Sequence, residues 1–390
     1  MALVENGSAV TASLDRPAAA DLLPAGSRAF ASIVDATLLP RLVRLGPNLW
    51  GAVFVLMKLL PAAYILRQAQ ERGRLGPETV IVETTSGTFG LALAMQAALM
   101  RRPLILVSDP AIDANLYRRL SDLGAAIEIC PEPAATGGFQ EARLQRLDQI
   151  QAELEDTFCP EQYSNPDNGR SYQVVADQLT AALGTVDCVV GPVGSGGSMC
   201  GTVGALRERT PQTLAIGVDS HHSVLFGQPD GHRTLRGLGN SLWPANLNHS
   251  VFDEVHWCNA TEAFAATREL HARHVVFQGP TSGAAYLAAR WWAARHPDRQ
   301  CVVMLPDEGY RYQGTVYDDA WLAENGHLAA DGRRVPDEPE TVPSPAEAGS
   351  GWARFAWGRR SYEEVPGVVP RFARPGDGVD RDGRAPGPRR

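Results

Sequence analysis

Apolar residues in this chain gather into short unbroken runs: TVIVE (79–83), PLILVS (103–108), AAIEIC (125–130), DCVVGPV (187–193), LAIGVDS (214–220) and QCVVMLP (300–306). A strand with one wet face alternates apolar and polar positions. These runs do not alternate, which predicts strands covered on both faces. Between them lie longer apolar stretches of helical length, such as LALAMQAALM (91–100) and SGAAYLAARWWAARH (282–296). Strands and helices in turn predict an α/β protein whose mostly parallel sheet is flanked by helices. The pattern is lost at both ends. Residues 1–28 are rich in Ala, Pro and Ser, and residues 325–390 mix Pro, Gly, Arg and Asp without a period. Both read as tails around a domain spanning 29–324. Within the second tail, the aromatic segment WARFAW (352–357) could dock on a partner.

Three glycine-rich turns follow predicted strands and open predicted helices, at the strand ends where open α/β sheets bind ligands. The first is Thr84-Thr85-Ser86-Gly87-Thr88-Phe89-Gly90, whose hydroxyls and helix-start amides suit a carboxylate. The second, Gly194-Ser195-Gly196-Gly197-Ser198, offers backbone N–H donors and two hydroxyls with no side-chain bulk, a cup for a phosphate. The third is Gly279-Pro280-Thr281-Ser282-Gly283. Each alone also reads as a plain strand-to-helix cap. Three in register with six strands favour a ligand cleft.

Composition narrows the class of ligand. A net charge of -8 argues against nucleic acid or an anionic membrane surface and leaves a small molecule. No run of about 18 apolar residues occurs and the start lacks a signal-like pattern, so a soluble, cytoplasmic protein is expected. Six cysteines without a CxxC pair read as buried thiols, and His271 and His274 read as a solvated helix face, so no metal is expected. The basic residues say more. Lys58 is the only lysine among 36 lysines and arginines. Coding bias toward arginine explains the other replacements, but arginine forms no imine, so chemistry needing a primary amine would retain one lysine. An accidental survivor is the plainer alternative.

Two phosphate motifs are excluded by inspection. Lys58 follows Val53-Phe54-Val55-Leu56-Met57 rather than a Walker A loop, and the third glycine of a dinucleotide fingerprint would fall on Met199. The ordered set that remains is a lysine at a helix start, TSGxxG, QYSNP (162–166), GSGGS, GPTSG and LPDEGYRY (305–312). It resembles the fold type II pyridoxal 5′-phosphate (PLP) enzymes, specifically the cysteine synthase (O-acetylserine sulfhydrylase) family, over roughly residues 35–323. Segments 132–138 (EPAATGG), 223–227 (SVLFG) and 316–322 (VYDDAWL) are similar to its diaminopropionate-synthase branch.

The resemblance implies two α/β lobes, the smaller at about 75–175 inserted in the larger, with PLP in the cleft and a homodimer as the assembly. It implies that Lys58 carries PLP as a Schiff base and removes the Cα proton. Cofactor contacts would come from Thr88, Gly194, Ser195, Gly196, Gly197 and Ser198, with Thr281 and Ser282 at the pyridine nitrogen. Substrate contacts would come from Thr85, Ser86, Gly87 and Gln162. The reaction implied is β-replacement on O-acetyl- or O-phospho-L-serine through an aminoacrylate, giving cysteine or a diaminopropionate-type amino acid. Arg236 is the candidate for a phosphate leaving group, beside the plainer reading of a surface arginine. This sequence departs from the family in shortening the segment NPxGSxKDR before Lys58 and in placing Thr88 where an asparagine is usual. The shortened segment leaves open a non-catalytic homologue that acts as a binding partner.

Overall fold

The computed structural model describes residues 29–85, 87–135, 138–235, 237–328, 337–361 and 364. Its strands are β1 (Arg41–Arg44), β2 (Leu49–Val53), β3 (Val80–Thr84), β4 (Leu104–Ser108), β5 (Ala126–Ile129), β6 (Thr157–Phe158), β7 (Cys188–Pro192), β8 (Leu214–Ser220), β9 (Glu254–Cys258), β10 (Cys301–Leu305), β11 (Glu340–Thr341) and β12 (Ala353–Ala356). They form two sheets. One has the order β5-β4-β3-β6 and draws only on residues 80–158; the other has the order β1-β2-β10-β7-β8-β9-β12-β11. The small sheet is parallel throughout, and the large sheet is parallel from β2 to β9.

All six predicted runs become strands, and the unbroken apolar pattern has the expected cause. Along β10, Cys301, Val303 and Leu305 join the core on one face while Val302 and Met304 join the core on the other. In β3, Ile81 and Val82 divide between two cores in the same way. Successive strand side chains point to opposite faces, so a strand covered by helices on both sides needs no polar position. The exception is β5, an edge strand whose end residues are exposed. The helices Thr88–Met100 and Pro280–Arg295 fill the two predicted helical stretches, and both are buried along most of their length.

Two expectations are corrected. The strands β1, β2 and β9 are absent from the sequence reading, since RLVR (41–44) is half polar and EVHWC (254–258) lacks a continuous apolar run. The second correction concerns the C-terminal stretch. Residues 337–361 are not a tail: β12 pairs antiparallel with β9 and β11 pairs with β12. Trp352 and Trp357 are 4% and 1% exposed, and the Trp352 indole donates to His256 Nδ1 at 3.0 Å. WARFAW therefore docks on its own sheet, because two buried indoles outweigh a composition rich in Pro and Gly. Trp291 and Trp292 likewise pack inside the chain.

Candidate active site

The end of β2 sets the position of the lone lysine. Beyond Val53 the backbone stays bonded to the chain after β10, through Phe54 N to Leu305 O at 3.0 Å and Met57 N to Pro306 O at 2.7 Å. Lys58 then sits immediately before the helix Leu59–Glu71. Its Nζ lies 3.3 Å from Ser195 Oγ, a residue 137 positions away in the second glycine-rich turn. Loss of hydration around the partly buried amine pushes its pKa from 10.5 down to about 8. An appreciable fraction is thus neutral, and nucleophilic, near pH 8.

The turn at 194–198 joins β7 to the helix Gly197–Arg207. Gly196 has φ +82°, and a Cβ there would come within 2.6 Å of Leu247 Cα and 2.8 Å of Asn246 O. Only glycine fits. Ser195 is buried and Ser198 is 9% exposed.

The first turn follows β3. Thr85 Oγ accepts from the amides of Gly87 at 3.1 Å and Gly90 at 3.0 Å, so its hydroxyl caps the helix Thr88–Met100. Gly87 and Thr88 stand half-exposed at that helix start. Gln162 is buried, and its carbonyl accepts from Asn168 Nδ2 at 2.5 Å and Asn246 Nδ2 at 3.0 Å. Asn168 Nδ2 also lies 3.3 Å from Ser195 Oγ. A continuous polar chain therefore runs from Gln162 through Asn168 and Ser195 to Lys58, which brings the Gln162 turn, the second glycine-rich turn and the lysine together.

The third turn opens the helix Pro280–Arg295. Ser282 Oγ donates to Gln278 Oε1 at 3.3 Å, and Gln278 Nε2 donates to Phe54 O at 3.2 Å, which ties this turn to the strand end that carries Lys58. Thr281 is 5% exposed and packs beside Gly237. Ser86 and Arg236 lie outside the described residues, as do residues 136 and 137 of the 132–138 segment. His271 and His274 are half-buried and not fully solvated: His271 packs on Phe277 and Tyr317, and His274 lies 3.0 Å from the Tyr286 hydroxyl.

Several groups at the cleft escaped the sequence reading. Glu83 at the end of β3 accepts from Thr84 N at 2.8 Å and Gln162 N at 3.3 Å, and burial pushes its carboxyl up to about 7. Arg143 is 9% exposed, with Nη1 3.2 Å from Asp109 Oδ2 and no hydrogen-bond partner for Nε. It is close enough to Tyr163, beside Gln162, to act on the phenol electrostatically. A carboxylate closing an apolar strand was the available signal for Glu83. Asn168 and Asn246 carry no local signal, since their partners lie far off in the chain.

The sequence pattern of the family described as "Pyridoxal-phosphate dependent enzyme" matches residues 57–307, well over half of the chain. The chain belongs to this family. Within it, N-(2-amino-2-carboxyethyl)-L-glutamate synthase of Cupriavidus metallidurans is 35% identical over 295 residues, covering 74% of this chain and 85% of the relative. The enzyme of the same name from Ralstonia nicotianae is 34% identical over 307 residues, covering 75% and 91%. Among solved structures, the O-acetylserine dependent cystathionine beta-synthase of Helicobacter pylori superposes with a TM-score of 0.68 at 25% identity, covering 74% of this chain and 99% of that one. The architecture is that of the fold type II members.

The residues present fit the cofactor of this PLP family. The amine meets the Ser195 hydroxyl in a glycine-rich turn at a helix start, where Gly196 has no room for a Cβ beside the 246–247 backbone. The pKa of Lys58 makes a kinetic prediction. Cofactor-free protein mixed with PLP should bind it covalently at a rate that climbs about tenfold per pH unit and levels off above about 8. A rate still climbing toward the ordinary lysine value of 10.5 would show that the amine is not desolvated. Stopped-flow visible absorbance reads this directly.

Proposed function

We propose that this PLP-dependent enzyme performs β-replacement on an O-activated L-serine, with Lys58 as the amine that holds the cofactor and moves the Cα proton. The observation that carries the reading is Lys58 Nζ at 3.3 Å from Ser195 Oγ, beside the glycine cup and linked through Asn168 to Gln162. PLP, when bound, supplies an electron sink for the pair left on Cα. The protein supplies geometry. Gly194, Ser195, Gly196, Gly197 and Ser198 offer donors to the phosphate. Thr88 would help hold the ring, and Thr281, with Ser282 next to it, would offer a neutral hydroxyl to the pyridine nitrogen. Thr85, Ser86, Gly87 and Gln162 would hold the substrate carboxylate, which turns the Cα hydrogen toward Nζ. Lys58 Nζ would take that proton, and the pair left on Cα would expel the β-oxygen substituent.

The two relatives are, by name, synthases of N-(2-amino-2-carboxyethyl)-L-glutamate, in which the L-glutamate nitrogen carries a 2-amino-2-carboxyethyl group. The reading for this chain is accordingly an amine nucleophile and a diaminopropionate-type product. A homodimer in the cytoplasm is part of the same proposal; the six free cysteines suit a reducing compartment. Two arginines offer themselves to a phosphate leaving group: Arg236, next to Gly237, and the buried Arg143. Arg236→Ala or Arg143→Gln is expected to lower kcat/KM for O-phospho-L-serine by roughly tenfold to a hundredfold, the worth of one charge-assisted contact. Turnover of O-acetyl-L-serine should be nearly unchanged in the responsive variant. Steady-state kinetics with both substrates settle the matter, and equal losses on both in each variant would make both arginines structural.

A further inference from the structure

The substrate clamp is built from two separate pieces of chain, the loop that leaves β3 and the turn at 161–163, and one buried side chain joins the last residue of β3 to that turn. Glu83 is 4% exposed. Its Oε1 accepts from Thr84 N at 2.8 Å, and its Oε2 accepts from Gln162 N at 3.3 Å. The turn it holds is not a relaxed one. Glu161 has φ +55°, in the left-handed region that a side chain disfavours. Ser164 N and Asn165 N close back on the Glu161 carbonyl at 3.0 and 2.8 Å. On the other side of Gln162, the carbonyl is gripped by Asn168 and Asn246. Its peptide units are therefore fixed from the small sheet through the amide and from the phosphate cup through the carbonyl.

We propose that Glu83 is a positioning residue, whose carboxylate ties the end of β3, from which the loop at 85–88 departs, to the Gln162 turn so that both halves of the substrate-carboxylate clamp hold one geometry. A carboxylate suits the task because both its oxygens accept, one for each N–H. An amide cannot replace it. Glutamine offers one accepting oxygen and one donating NH₂ group, so a nearly isosteric change sets a donor against a backbone N–H. The proposal rests on the reading that residues 85–88 and Gln162 bind the substrate carboxylate.

The test is Glu83→Gln in the full chain at pH 8, with two readouts. In cofactor-free protein, amide exchange at Gln162 should be slow in the wild type and about tenfold faster in the variant, the worth of one hydrogen bond to a charged acceptor. This readout does not depend on the cofactor. In PLP-loaded protein, the dissociation constant for L-alanine, which has no β-leaving group, should rise about tenfold as read by the cofactor's visible spectrum. PLP affinity should stay within about twofold. An unprotected Gln162 amide in the wild type, or unchanged exchange in the variant, overturns the tether. Faster exchange with unchanged L-alanine affinity overturns the positioning role. Wild-type protein that takes up no PLP would instead defeat the reading beneath it, while the exchange result still stands. Should the variant fail to fold, the wild-type protection of Gln162 decides the tether alone.

Discussion

Lys58→Ala is expected to abolish release of the leaving group from O-phospho- or O-acetyl-L-serine, by about 10³-fold or more, while the protein stays folded. Proton transfer by a positioned base is worth roughly 10²–10⁴-fold, and the same amine also makes the covalent bond to the cofactor. Among the described residues Nζ bonds to Ser195 Oγ, and Lys58 belongs to none of the hydrophobic cores, so its removal leaves them intact. Removing a partly buried amine also relieves the burial that lowers its pKa. No second lysine can substitute, because the chain has none. Lys58→Arg should be as inactive as Lys58→Ala, since a guanidinium keeps the charge but forms no imine. Either variant within about tenfold of wild-type rates would remove Lys58 from the reaction.

Gly196→Asp should cost the protein its cofactor. At φ +82° any side chain is disfavoured by about 1–2 kcal/mol. The new Cβ would also lie 2.6 Å from Leu247 Cα, a backbone atom that yields only if the 246–247 segment moves. A carboxylate would further stand where the donors of the cup meet a dianion. Together these should weaken PLP binding by about a hundredfold or more, or about 3 kcal/mol. Equilibrium dialysis of PLP, with circular dichroism as the control for folding, measures it. Unchanged affinity would place the cofactor phosphate elsewhere.

Much of the site was legible because its parts are local. Each glycine-rich turn announces itself within five to seven residues, and the first two follow strands that are continuous apolar runs; the third, expected to follow a strand as well, instead comes after the helix Ala260–His274. The partners that join the turns were not legible. Asn168 meets Ser195, and Asn246 meets Gln162, through contacts spanning 27 and 84 positions, which no periodicity encodes. Glu83 was visible as a charge in a buried strand, yet its distant partner, Gln162 N, depends on the left-handed turn at Glu161. The C-terminal segment misled for another reason. Its composition is that of a tail, but pairing of β12 with β9 and burial of Trp352 and Trp357 decide its place. Those are tertiary terms, which override local propensity.

Borohydride reduction of the PLP-loaded protein, followed by peptide mass mapping, tests the central claim most directly. Reduction fixes the cofactor to whichever amine carries it. With a single lysine in 390 residues, the account predicts one pyridoxyl label, on the peptide containing Lys58. A label confined to the N-terminal amine, or no label on protein that has taken up PLP, would contradict it.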